Sequence, residues 1–67
     1  MISYEPFWAT LKEKNVTAYT LVTKHSVSNG TLTRMRRNMP MSTNILDDLC
    51  TILDCNVQDI IIHMKNK

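Results

Sequence analysis

Apolar positions in this chain recur at helical spacing in five blocks, and each block opens on the same local signal. An apolar residue is followed by a Ser, Thr or Asn, and a second apolar residue stands four positions after that polar one. The polar side chain takes an unpaired backbone N–H of the first turn, and the two apolar side chains close over it. The signal occurs at Ile2-Ser3…Phe7, Val16-Thr17…Leu21, Val27-Ser28…Leu32, Met41-Ser42…Leu46 and Cys55-Asn56…Ile60. It also occurs at Val22-Thr23…Val27 and Cys50-Thr51…Cys55, which fall inside or at the end of periodic stretches and are set aside.

The stripes that follow are Tyr4, Phe7, Trp8 and Leu11; Ala18, Leu21, Val22 and His25; Leu32 and Met35; Ile45, Leu46, Leu49, Cys50 and Leu53; and Val57, Ile60, Ile61 and Met64. Pro6 falls in a first turn, where its missing N–H does no harm. Asn15 and Asn38 stand where a helix must end, and asparagine tolerates the left-handed conformation found there. Pro40 blocks continuation of the third block. The pattern predicts an all-α chain with helices at about 3–14, 17–25, 28–37, 42–54 and 56–63, joined by very short connections.

The third block is the unusual one. Leu32 and Met35 are its only apolar anchors, helped by Val27 before it. Asn29, Thr33, Arg36 and Arg37, with Gly30 and Arg34 beside them, make an outward face of amide, hydroxyl and guanidinium groups. A solvated charged face is the ordinary fate of such residues. Here, however, only Ser26 and Val27 separate the preceding helix from the Ser28 cap, so the two helices form a tight αα-corner whose second member is the polar one. The DNA major groove admits one helix, and Arg, Asn and Thr match guanine, adenine and the thymine methyl in turn.

Charge sharpens that picture. The net formal charge is only +2, but it is unevenly placed. Residues 1–40 carry six Lys/Arg against Glu5 and Glu13, hence +4, whereas 41–67 carry Lys65 and Lys67 against four Asp, hence −2. A basic first part beside an acidic second part implies one side turned toward a polyanion. A length of 67 residues allows one domain, 1–67. One Gly and two Pro are too few for an all-β chain with its many turns. No apolar run is long enough to span a membrane, and MISYEPFW is not built like a signal peptide. The chain is therefore expected in the cytoplasm.

Residues 18–37, AYTLVTKHSVSNGTLTRMRR, resemble the helix-turn-helix of the Cro/C1-type (XRE-like) regulators of bacteria, phage and mobile elements. Leu21, Val27, Leu32 and Met35 match the apolar positions of that motif, and the stretch STNILDDLCTILDC resembles its fourth helix and the lead into its last. The resemblance extends over nearly the whole chain, to the very small stand-alone members of the family. It implies a compact five-helix, lambda-repressor-like domain. The turn position usually held by Gly is Ser26, which must take positive φ or a different turn, and the usual small residue inside the second helix is Val22.

The same resemblance implies roles. Asn29, Gly30, Thr33, Arg34 and Arg37 would face bases. Thr17, Ala18, Tyr19, Lys24, Ser28 and Arg36 would meet phosphate, with Lys12 or Lys14 adding contacts at the rim. Homodimers are expected, because two half-sites one helical turn apart multiply affinity.

Other chemistry is poorly represented. Cys50, Cys55 and His63 match no zinc spacing, and no metal or other cofactor is expected; the two cysteines are expected as reduced, partly buried thiols. His25 falls at a helix end, where it would cap or pack. Asp47 and Asp48 are neighbours about 100° apart on a helix and share no site. No phosphate loop or nucleophile elbow is present, so an enzyme is not expected. In Ile60-Ile61-Ile62, three consecutive residues span too wide an arc for one core stripe. Ile61 and Ile62, with Met64, are candidates for a dimer contact on the tail, or for an extended segment pairing across a two-fold. The function expected is sequence-specific binding of double-stranded DNA by a transcriptional regulator, most simply a repressor. The alternative is a protein-interaction module of antitoxin or anti-repressor type on the same fold.

Overall fold

The computed structural model describes residues 1–65. The order of elements is β1 (Ile2–Ser3), α1 (Glu5–Glu13), α2 (Ala18–His25), α3 (Asn29–Arg36), α4 (Thr43–Leu53), a 3₁₀ turn (Val57–Asp59) and β2 (Ile62–His63). Three of the capping signals work as the sequence implies. The hydroxyls of Thr17, Ser28 and Ser42 accept the backbone N–H of Thr20, Thr31 and Ile45 at 3.1, 3.0 and 3.3 Å. Each satisfies one first-turn donor that the helix itself cannot.

Each of the four helices is followed by a residue in the left-handed region, and none of these is glycine: Asn15 at φ 57°, Ser26 at 58°, Asn38 at 54° and Asp54 at 51°. The chain then folds back on the helix it has left. Val16, Met39 and Cys55 send their N–H groups to the carbonyls of Leu11, Arg34 and Cys50 at 2.9, 2.9 and 3.0 Å, and Val27 reaches Leu21 at 3.1 Å. Ser26 thus takes the positive φ that the αα-corner demands.

Two of the predicted elements are different. The first helix begins at Glu5 rather than near residue 3, and the segment expected as a fifth helix over 56–63 is a single 3₁₀ turn followed by a strand. One cause accounts for both. Ile2 and Ser3 pair antiparallel with His63 and Ile62, and Met1 and Met64 extend the ladder, with Met64 N–H donating to Met1 O at 2.7 Å. β-Branched Ile60, Ile61 and Ile62 are stiff at χ1 and favour extended backbone. Of that run only Ile62 enters the strand, since Ile60 closes the 3₁₀ turn at φ −110° and ψ −48°; the strand's partner is the start of its own chain rather than a second copy.

Tyr4, Phe7, Leu11, Leu21, Leu32, Met35, Leu49, Leu53 and Ile60 form the buried core, drawn from every helix and the segment after the 3₁₀ turn. Trp8, Val22, Ile45, Leu46, Cys50 and Ile61 pack around it, half-buried. Val57 and Met64, assigned to a stripe by periodicity, are exposed, because the segment that carries them is not a helix. His25 is also exposed and does not pack. Among the described residues no helix is long and apolar enough to cross a membrane.

Candidate nucleic-acid interface

The face that sequence reasoning singled out is carried by α3 and the helix before it. Inward, α3 buries Thr31, Leu32 and Met35. Outward, Asn29, Gly30, Thr33, Arg34, Arg36 and Arg37 are all exposed. Burying only three residues of a two-turn helix leaves the whole opposite side for something outside the domain. Thr31 is the inward position that periodicity missed. Its hydroxyl stands 2.9 Å from the Ser28 hydroxyl, so a polar side chain can be buried with its partner supplied by the cap.

The outward side chains are not equivalent. Thr33 donates its hydroxyl to the Asn29 carbonyl at 3.0 Å, which engages the O–H along the helix and leaves the methyl as an outward apolar group. Arg34 lies back toward the start of α3, with Nη2 3.5 Å from Thr31 Oγ1. Arg37 caps the C-terminal end of α3. Arg36 turns back on the protein, its guanidinium carbon 5.1 Å from the centroid of the Trp8 ring.

The positions expected at phosphate line the start of α2 and the turn. Thr17 is exposed, and its hydroxyl meets Thr20 Oγ1 at 3.0 Å. Ala18 is half-buried against the core. Tyr19 is 77% exposed, more than any other large apolar side chain among the described residues. Lys24 in the last turn of α2, Ser28 at the α3 cap, and Lys12 and Lys14 at the end of α1 are exposed. Lys24, Arg34 and Arg36 each fall in the last turn of their helix, where the dipole favours cations.

Two contacts that position α3 had no signature in the sequence. The Tyr4 hydroxyl donates to the Met39 carbonyl at 2.7 Å, and the Tyr4 N–H donates to Asn38 Oδ1 at 3.1 Å. Tyr4 thus clasps the residues that leave α3. Burial pushes its phenol above the ordinary value of 10.0, because the anion would lose hydration there. The Arg36–Trp8 contact is the second. Trp8 itself stands nearly perpendicular to Phe7, with ring centroids 4.8 Å apart, so α3 is joined through Trp8 to the buried Phe7.

The tail expected to bear a dimer contact is split. Ile61 is half-buried against the core, whereas Ile62 and Met64 are exposed and border a shallow groove with Pro6 and Ala9 of α1. Cys50 and Cys55 are free thiols, both half-buried. Burial first, and then the neighbouring Cys50 and Asp59, push the Cys55 thiol up. Among the described residues no three His, Cys, Asp or Glu side chains converge as a metal site would require.

The fold is similar to that of a known protein. A solved structure, that of the transcriptional regulator VanUg, superimposes with a TM-score of 0.86 at 26% identity, covering 97% of this chain and 87% of that one. No curated protein matches. The family model of the Cro/C1-type helix-turn-helix DNA-binding domain matches residues 7–66, a span that runs from within α1 through α2, the αα-corner, α3 and α4. The chain belongs to the Cro/C1-type helix-turn-helix DNA-binding family.

Proposed function

We propose that this protein is a sequence-specific transcriptional regulator, acting as a repressor by occupying double-stranded DNA with α3 in the major groove. One observation carries the proposal. The helix that follows the corner buries Thr31, Leu32 and Met35 and leaves Asn29, Thr33, Arg34 and Arg36 exposed on its other side. The likeness at 26% identity to a transcriptional regulator supports the same reading.

In this reading Asn29, Gly30, Thr33, Arg34 and Arg37 meet base edges, and Thr17, Ala18, Tyr19, Lys24, Ser28 and Arg36 meet the phosphate backbone. Phosphate contacts set affinity and register, whereas base contacts set sequence preference. The protein works in the cytoplasm, performs no reaction and needs no cofactor; its effect comes from occupancy alone. The test is fluorescence anisotropy on mixed genomic fragments with a salt titration. Some fragments bind far above background, log affinity falls with log salt by about 0.9 per phosphate contacted, and Arg34→Ala costs about 1–3 kcal/mol on the preferred site. Weak and equal binding to every fragment would overturn the proposal.

The protein further acts as a homodimer, at least on DNA, through exposed Ile62 and Met64 beside the groove of Pro6 and Ala9. These same residues are what an antitoxin-type protein partner would use. Under that second reading Ile62→Ser abolishes function, while Arg34→Ala leaves it intact.

A further inference from the structure

The backbone positions where glycine would relieve strain do not have it. Asn15, Ser26, Asn38 and Asp54 all hold positive φ, which costs a residue bearing a Cβ and costs glycine almost nothing. The chain's single glycine stands elsewhere. Gly30 lies in the first turn of α3 and does not have positive φ. A Cβ built on it would meet Arg34 Nη1 at 3.5 Å and Ser28 Oγ at 3.8 Å, both ordinary van der Waals contacts. Neither backbone conformation nor internal packing asks for glycine here, and the helix is weakened by it. The missing side chain serves whatever approaches from outside.

Beside that gap lies an exposed guanidinium. The Arg34 guanidinium lies back over Gly30, with Nη2 3.5 Å from Thr31 Oγ1. Thr31 is itself buried, its N–H donating to Ser28 Oγ at 3.0 Å and its hydroxyl 2.9 Å from the same oxygen. Cap, buried threonine and arginine thus form one short polar chain that ends at the glycine.

Building on the DNA-binding reading above, we propose that Gly30 and Arg34 form a single specificity-determining unit for one base pair. The gap at Gly30 lets the edge of that pair come against the α3 backbone. The Arg34 fork, which lies beside the gap, then meets guanine O6 and N7 of the same pair. A methyl at position 30 is accommodated by the protein but holds the base pair away.

The experiment begins by selecting a duplex from a randomised pool with the wild-type protein. Gly30→Ala, Arg34→Ala and the double variant are then compared on that duplex and on its single-base-pair changes, alongside thermal unfolding. Gly30→Ala raises Tm by a few degrees, yet loses about tenfold in affinity for the selected duplex. Both single variants become indifferent to the same base pair, and the double variant binds no more weakly than the weaker single. The inference is overturned if Gly30→Ala binds the selected duplex as wild type does, or lowers Tm and affinity together with base preference unchanged. Additive losses, or losses at different base pairs, overturn it too. If the wild type selects no sequence, the DNA-binding reading falls and this inference falls with it; selection followed by an indifferent Gly30→Ala defeats the inference alone.

Discussion

The Arg36 guanidinium carbon lies 5.1 Å from the centroid of the Trp8 ring, and that ring in turn stands edge-on to buried Phe7. An arginine on the face turned to solvent is thereby used to hold α3 against α1. A cation over an aromatic face at an exposed site contributes about 0.5–1 kcal/mol. Arg36→Gln should lower the unfolding free energy in urea by that amount and change the emission of Trp8, the chain's single tryptophan. Arg37→Gln, at the end of the same helix, should leave both unchanged. Equal behaviour of the two variants would mean that the stacking has no energetic consequence.

Tyr4 supplies a second tie to α3, and its contribution depends on pH. With the folded-state pKa raised above the ordinary 10.0, the folded protein holds the phenol proton more tightly than the unfolded chain does. The contribution is therefore complete below about pH 10 and is lost as pH climbs toward the folded-state value. Tyr4→Phe removes the hydrogen bond to Met39 O and should cost about 0.5–1.5 kcal/mol near neutrality. The variant should also lose part of the steep decline in stability above pH 10, measured by urea unfolding across the alkaline range.

Ser26 holds the αα-corner at φ 58° and ψ 28°. Ser26→Gly relieves the crowding of a Cβ in the left-handed region, an effect partly offset by the greater freedom glycine gives the unfolded chain. A net gain of about 0.5 kcal/mol is expected from these opposing effects, seen as a higher Tm. A lower Tm would show that the serine side chain stabilises the turn in a way its exposure does not reveal.

Ile62 and Met64 give a prediction about assembly. Wild type should sediment as a dimer on a duplex carrying two half-sites, and Ile62→Ser should bind a single half-site unchanged while losing the cooperative second step. A wild type that stays monomeric, free and on DNA, would remove the tail from the account of binding.

What could be read from the sequence was local. Thr17, Ser28 and Ser42 cap helices because a hydroxyl reaches an N–H three residues on, and Asn15, Ser26 and Asn38 end helices within the same short reach. The misread parts are those decided by residues far apart in the chain. Ser3 looked like a cap and Ile60–Ile62 like a helix until Ile2 met His63 across the molecule. Tyr4 sat on a helical stripe, with nothing nearby in sequence to show that its partners would be Asn38 and Met39. At the candidate interface, periodicity sorted the apolar inward residues of α3 from the outward ones, but it missed buried Thr31 and could not say where each outward side chain turns. Arg36 is directed by Trp8, a residue of another helix that a single-helix pattern cannot see.

The glycine in the first turn of α3 also gives the protein a shelf life. It follows Asn29, making the chain's one Asn-Gly pair, and first-turn N–H groups have no partner within their helix. With no side chain to hinder it, the Gly30 nitrogen can attack the Asn29 carboxamide. Ammonia leaves, and water opens the resulting ring to aspartate or isoaspartate. A neutral amide thus becomes an anion on the surface meant to meet a polyanion.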